Sequence, residues 1–526
     1  MNRRETLMLG MPLLGLTGCL RRQQTRIADD TLIIAVPSDP AGIDPAANLA
    51  EVIGSEIILN IFDTLLAWTP DPPERLTPRL ALAWHVSDDR LAYRFTLRPD
   101  VRFHDGTLCD GAAVAFALRR SLEANSYFRA SMDALDRIVV LAPDRVEFRL
   151  KRPCPFFPAL LAQPQAAIVS PAAVRALGPL FSQNPVGTGA FRFGRREADV
   201  SLTLIANPHY FRGAPRLSRL VYQIVSAPST RRMMLENGEI DLCHQSGQLA
   251  ALPIEDVEAF RHHPSVTVIE QSSQILRQLE FNNLLKNSPV HDLRVRRAIA
   301  HAIDTDGLAG RVLRGTVERA WGPLPTANMA FDPSQPGRAP VYDPNMARHL
   351  LAEARFAAGS LSFDLITFSG SLWATVATFL QANLAAVGIG LNIVQMEFPA
   401  LRARHTKGDF MLALDGRSPW YNDPDAHITT GYLSSRATSA MTFRMPPDQA
   451  LDQAIIEAQS EGDPARRNAL YHQLQATISE RVPAVYLFSN KIIAFASKRL
   501  RGLHIGSTPP LTEYHGVSKI DDKAQG

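Results

Sequence analysis

The sequence predicts an α/β protein of more than one domain, and three observations carry that prediction. Apolar residues change along the chain between a spacing of two and a spacing near 3.6, so strands alternate with helices. The 526 residues exceed what one small core fills and are enough for two or three domains. No segment recurs at the periods of about 20 to 50 residues that build solenoids and propellers, and no low-complexity tract interrupts the pattern.

Each element follows from its own residues. TLIIAVPSDP reads as a buried strand, Thr31 to Val36, ended by a turn through Pro37, Asp39 and Pro40. LAYRFTLRPDVRFHDGT predicts two strands joined as a hairpin through Pro99 and Asp100, with a second turn at Asp105-Gly106. A helix follows, with Ala113, Phe116, Ala117 and Arg120 at helical spacing. DLRVRRAIAHAID sets Val295, Ala298, Ile299, Ala302 and Ile303 on one helical face behind Asp292 as N-cap. LSFDLITF, WATVATFLQANLAAVG and IGLNIVQM read as strand, helix and strand, with Gly388 at the helix end; such a unit makes parallel strands with a right-handed crossover. Two helices come next, in ALDQAIIEAQS and PARRNALYHQLQATISE, the second capped by Asp463 with Pro464 in its first turn. The chain then returns to a strand over Val482 to Phe488.

The amino end carries a different signal. Arg3 and Arg4 precede an apolar run from Leu7 to Leu16, and Thr17 and Gly18 precede Cys19, the pattern of an export signal over residues 1–18. The run is about half the ~20 residues a bilayer span needs. Leu16-Thr17-Gly18-Cys19 resembles a bacterial lipobox, which implies lipidation of Cys19 and a polar tether over 19–30. The paired arginines fit both the general and the twin-arginine export routes. The formal charge of +3, with no basic run interleaved with aromatics, excludes a nucleic-acid surface. Besides Cys19 there are Cys109, Cys154 and Cys243, widely spaced, so at most one disulfide among them can form and stability rests on apolar cores.

Catalytic signatures are absent from the sequence. It contains no GxSxG, no HExxH and no phosphate-binding loop, and SQSGQ and FSGSLW lack the glycine frame of a nucleophile elbow. His262-His263 precedes Pro264 as a solvated helix end, and His104 in FHDG reads as a turn residue. No enzyme activity, no resident cofactor and no protein-bound metal are expected.

Several segments, read in order, are similar to one family. They are Ser38-Asp39-Pro40 with Ile43-Asp44-Pro45, Asn60 to Leu65, Leu80-Ala81 through Trp84 with Ser87-Asp88-Asp89, and LRPDVRFHDGT from Leu97 to Thr107. Then come Pro185 to Phe191, Asn207, Tyr210, Gly213 and Pro215, Glu239-Ile240-Asp241, and Phe281-Asn282-Asn283 leading into Asp292 to Asp304. Their order and spacing resemble the solute-binding proteins of peptide- and nickel-type ABC importers, family 5, over roughly residues 30 to 500. The resemblance implies a two-lobed periplasmic-binding-protein (Venus flytrap) fold with an extra β-rich subdomain in the first lobe. The first lobe would take 31–65, 183–280 and 487–526, the inserted subdomain 66–182, and the second lobe 281–486. It implies a monomer at the outer face of the cell membrane, anchored by lipid, that closes on a peptide-like or amino-acid-derived solute and hands it to membrane permease subunits. A metal chelate as solute, or a sensory receptor as docking partner, are the alternatives it leaves.

GRSPWYNDPDAH, residues 416 to 427, falls in the loop that faces the cleft in this family. Many peptide-binding members carry an aspartate three residues before Asp-Pro, to meet a peptide ammonium; here that position is Trp420. The loop instead offers Arg417, Trp420, Tyr421 and Asn422, a set able to grip a carboxylate, stack on a planar group and both donate and accept hydrogen bonds. That favours an anionic solute. Metallophore-binding members commonly add an arginine from the first lobe, and the matching FFPALLAQPQAAI has none. Trp373, after FSGS, is a further candidate, as are Asp39, Gly42 and Ile43 after the first strand and Asn282 in FNN. Asp423-Pro424 is expected to shape the turn.

Overall fold

The computed structural model describes residues 30–40, 42–48, 51–69, 75–244, 251–436, 445–506 and 511–520. Cys19, the export signal and the tether up to residue 29 lie outside them.

Two long strands organise the molecule. Val266–Phe281 and Ala484–Ser497 run antiparallel, and their register breaks between Ser272 and Leu276. On one side of the break, Val266 to Ser272 pair with Ser497 to Lys491; on the other, Leu276 to Glu280 pair with Ser489 to Ala484. Each side then joins a different half of one hydrogen-bonded sheet. The first half continues through Leu242–His244, Thr31–Val36 and Arg219–Ile224, then the antiparallel Ser201–Ala206 and Phe191–Glu197. The second continues through Leu412–Arg417, Leu361–Phe368 and Ile389–Met396, the last two parallel as expected around the helix Ser371–Ala385. Gly388 follows that helix with φ 83°, a conformation that favours glycine.

Two large apolar clusters underlie the sheet, the first reaching as far as Tyr421 and Ala426. One cluster joins Leu32, Ile34, Ile57, Phe62, Leu204 and Tyr222 with the β-rich part around Phe95 and Phe148. Another gathers Leu279, Val295, Ile299, Leu365, Leu380 and Leu414. Burying each such side chain contributes about 1.5–3 kcal/mol. The helix Leu293–Ala302 forms where its pattern predicts, with the Asp292 carboxylate accepting from the Arg294 amide and Val295, Ala298, Ile299 and Ala302 buried.

The added β-rich part is a four-stranded antiparallel sheet in the order Ala81–Val86, Ala92–Leu97, Arg145–Leu150, Leu135–Ala142. The hairpin expected across Pro99-Asp100 does not form. Ala92–Leu97 pairs instead with Ala81–Val86 through the turn at Ser87 to Arg90, and 101–103 makes only the single bridge Arg102 to Leu108. The reason is that both edges of Ala92–Leu97 are taken, by Ala81–Val86 and Arg145–Leu150, while Phe103 and Thr107 close a tight loop at Gly106, φ 84°, that buries Val101 and Phe103. The helix that follows runs over Gly111–Ala124, capped by Asp110; it buries Val114 and Leu118 beside Ala113 and Ala117, while Phe116 and Arg120 are only half-buried. The strand predicted to begin at Val482 begins at Ala484 and extends to Ser497. Val482 sits at φ 45° as the cap of the helix Pro464–Arg481. Cys109, Cys154 and Cys243 are free thiols, all buried. No helix among the described residues is long and apolar enough to cross a membrane.

Candidate functional site: a cleft between the two halves

The strand Leu412–Arg417 is buried at every position because it lies inside the second half's sheet, between Val266–Phe281 and Leu361–Phe368. Its last residue, Arg417, therefore enters the loop from a rigid base. The guanidinium is 4 % exposed, and its Nη1 donates to Thr430 Oγ1 at 2.8 Å. Burial pulls the Arg417 pKa below the ordinary value, against the fields of Tyr432, Glu280, Tyr486 and Asp415.

Beyond Arg417 the chain turns and enters the helix Asp425–Tyr432. Asp423 shapes this turn: it accepts from the Asp425 amide at 2.9 Å and takes both Nη atoms of Arg467 at 2.8 Å. Asp425 is buried among Tyr421, Thr429 and Gln459; burial, and next Asp423, raise its pKa. His427 is fully buried, and burial followed by the Arg417 charge pushes it down to about 3, so its ring is neutral.

The loop meets the added β-rich part. The Tyr421 ring stacks on Phe156 at 5.8 Å and 5° between planes, and the Arg467 guanidinium lies 5.6 Å from the centre of the same Phe156 ring. Beside this contact is a cavity of about 220 Å³, with Tyr127, Asp133 and Phe156 on one wall and Arg417, Trp420 and Thr430 on the other. It joins apolar rings to one deeply placed cation, which is how small-molecule pockets fix orientation.

The structure brings Arg417, Trp420 and Tyr421 together there, both aromatics being less than a tenth exposed. Asn422 lies outside that lining and is half-buried, with its Oδ1 unpartnered among the described residues. Trp373 stands elsewhere in the second half, against Phe368 and under Arg277. Asp39 pairs with Arg196 at 2.9 Å and accepts from the Asp199 amide, the Gly42 carbonyl accepts from Asn48 Nδ2, and Ile43 is in the first core. Asn282 is 1 % exposed and donates to the carbonyls of Gly408 and Phe410, both at 3.0 Å. The sequence pattern did not single out Phe156, Arg467 or Arg277. Phe156 lies in FFPALLAQPQAAI, where a phenylalanine carries no signal separable from core. That same segment buries Gln163, whose side-chain amide has no partner among the described residues.

The profile of the bacterial extracellular solute-binding proteins, family 5 (Middle), matches residues 75–439. The chain belongs to this family. Among family 5 relatives, di/tripeptide-binding protein 2 of Pseudomonas aeruginosa (strain UCBPP-PA14) is 31% identical over 481 residues, covering 86% of this chain and 88% of the relative. The probable D,D-dipeptide-binding periplasmic protein DdpA of Escherichia coli (strain K12) is 26% identical, covering 90% of this chain and 92% of the relative. Of solved structures, the ABC transporter-associated periplasmic binding protein DppA from Helicobacter pylori, in complex with the peptide STSA, has TM-score 0.80 and 25% identity, covering 93% of this chain and 98% of its own. NikA from Brucella suis, in complex with Fe(III)-EDTA, has TM-score 0.82 and 22% identity over 93% of this chain and all of its own. These relatives are binding proteins, and the two-lobed family 5 fold holds for this chain.

Proposed function

We propose that this protein is the exported solute receptor of an ABC importer, anchored as a monomer through a lipid on Cys19, and that it captures a peptide-like or amino-acid-derived anionic solute. The observation that carries the reading is Arg417, a buried cation at the wall of a cavity bounded by both halves of the molecule. A solute in that cavity would touch both walls, so binding adds free energy to the closed form alone and shifts the population toward it. The hinge belongs in the paired strands near Ser272–Leu276 and Ser489–Lys491, a few residues from the boundaries at 280/281 and 486/487 suggested by the family pattern. Membrane permease subunits would read the closed form.

The likeness to di/tripeptide- and dipeptide-binding relatives supports the peptide-like class. Trp420, in place of the aspartate that would meet a free ammonium, supports an anionic group at this wall. Mass spectrometry of small molecules released from natively purified protein distinguishes the solutes: peptides or amino-acid derivatives uphold the reading, and a single metal-loaded chelate replaces it. Arg417→Ala is expected to weaken binding of the released anionic solute by at least about thirtyfold, well beyond its effect on melting temperature. Equal affinity in variant and parent, by calorimetry, rejects Arg417 as a binding residue.

A further inference from the structure

Away from the hinge, the first half ends in a pole where the chain enters the fold. Thr31–Val36 and Arg219–Ile224 run parallel from this end, with Thr31 opposite Arg219, and the Ser218 amide donates to the Asp30 carbonyl at 2.8 Å. Lys519 ties the entry down: its Nζ donates to the Thr31 carbonyl at 2.7 Å and to Asp241 at 2.8 Å. Ser497 pairs with Val266 at this same end, and Leu500–Arg501 lies against Ser518–Lys519. The long strand reaches the hinge break only at Ser272, so the second half departs from the opposite end of these strands. A lipid on Cys19 is connected to the folded body through this pole. The eleven residues from Cys19 to Asp29 span at most about 40 Å when fully extended. A chain of this length folds to about 60 Å across, so the surface around Asp30 is the one held nearest the bilayer.

The charge at this pole is one-sided. Arg212, Arg216, Arg219, Lys498 and Arg501 are all exposed, and none forms an ion pair among the described residues. Lys498 Nζ donates to the His263 carbonyl at 2.8 Å, and Arg501 Nη1 to the carbonyls of Lys498 and Leu500; these bonds hold the side chains without cancelling their charge. The acids are mostly engaged. Asp241 is taken by Lys519, Glu236 by Arg232 at 3.0 Å and Glu513 by Arg79. Asp30 and Glu239 have no cationic partner among the described residues, and past Ile520 the sequence adds Asp521, Asp522 and Lys523. A hollow of about 650 Å³ opens here, with Glu236, Asp241, Ser265, Lys498, Arg499 and Arg501 in its wall. With both of its acids paired, its surplus charge is carried by Lys498 and Arg501. Exposed cations around such a hollow, on the side to which the anchor leads, are complementary to anionic phosphodiester headgroups.

We propose that this pole is a membrane-contacting face, which seats anionic phospholipid headgroups against Arg212, Arg216, Arg219, Lys498 and Arg501. The face rests on the reading of Cys19 as a lipid anchor and adds a second hold to it. An acyl chain keeps the body near the bilayer, and a basic patch then turns this pole toward the headgroups. The second half, which leaves from the opposite end of the strands, is thereby directed away from the membrane surface.

Cosedimentation with lipid vesicles tests the face, using the mature chain from residue 19 with Cys19→Ser so that no acyl chain contributes. Binding is expected to vesicles of phosphatidylcholine with about 30% phosphatidylglycerol, falling steeply between about 50 and 500 mM salt, and not to phosphatidylcholine alone. Arg219→Gln with Arg501→Gln should weaken it by about thirtyfold. Arg137→Gln with Arg145→Gln, both exposed on the β-rich part, should leave it unchanged. If Arg501→Gln disturbs the fold, Arg216→Gln with Arg219→Gln decides, since neither side chain makes a hydrogen bond among the described residues. Equal binding to both lipids, binding to neither, an unchanged affinity in the pole variant or an equal loss in the β-rich variant overturns the face. Mass spectrometry of the amino-terminal peptide from native membranes reads the anchor separately. An unacylated Cys19 removes anchor and face together, whereas an acylated Cys19 without charge-dependent vesicle binding removes the face only.

Discussion

At the scale of single residues, the second half holds an unusual density of buried charge on one sheet face. Glu280 and His405 are 2.7 Å apart and nearly inaccessible, and Asp415 joins them closely enough for the three to resemble a metal-binding group. The arginine on Asp415 and the Gln278 amide on Glu280, at 2.8 Å, make it an ion-pair network instead. Burial pushes the His405 pKa down, but the Glu280 carboxylate overrides it and the net shift is upward. For Glu280 burial pushes up, and His405 makes the net shift downward. The histidine's contribution is complete below its ordinary value of about 6.5 and is lost as pH rises through its raised folded value; the glutamate's is complete above about 4.3 and is lost as pH falls through its lowered one. His405→Gln should therefore destabilise by about 3 kcal/mol near neutral or mildly acidic pH and by clearly less in alkali. Urea unfolding at both ends of that range checks it, and an equal loss at both refutes the pair. None of this was legible beforehand, because Glu280, His405 and Asp415 come from three segments whose local patterns are ordinary.

At the scale of elements, two of the family motifs, PVGTGAF and FHDG, make close backbone contacts. In PVGTGAF, a Cβ on Gly189 would come within 2.5 Å of the Ile61 carbonyl carbon and 2.6 Å of the Asn60 oxygen, while the Gly189 amide donates to Ile61 at 2.8 Å. Thr188 between the glycines donates to the buried Asp63, which also accepts from Tyr210. The motif is thus a clamp on the end of the helix Val52–Ile61, and His104 of FHDG closes it from the other side against Gly189, at 3.0 Å. Burial lowers the His104 pKa, so it acts as a neutral hydrogen-bonding ring. Gly189→Ala should cost about 3 kcal/mol, because backbone and not a flexible side chain must move. A chemical-denaturation midpoint unchanged from the parent would contradict that contact. Helices and the parallel strand pair were readable from periodicity and caps. The hairpin across Pro99 was not, since alternation shows that 101–103 is extended but not which partner it has.

For the whole molecule, one contact between the halves is small and specific. Phe156 from the β-rich part inserts between Tyr421 and Arg467, and a Cβ on Gly462 would overlap the Arg90 guanidinium from the same part. A stacked ring and a cation over its face contribute about 0.5–1.5 and 0.5–1 kcal/mol. Phe156→Ala should then lower the closed-to-open ratio by roughly five- to seventyfold. Distances between dye labels on the two halves, with and without the solute released from native protein, measure this directly. An unchanged distance distribution would show that the clasp does not hold the halves together.

By itself the sequence determined the α/β class, the strand-helix-strand unit over 361–396, the capped helices and, through the order of its motifs, the family, because periodicity, capping and turn residues act within a few positions of one another. Only the tertiary structure decided which polar groups share a space: Arg417 with Thr430, Phe156 with Tyr421, Arg277 with Trp373. Those meetings depend on sheet order and on how two halves approach, and a guanidinium's cost or use is set by the charges around it in space, which no local pattern records.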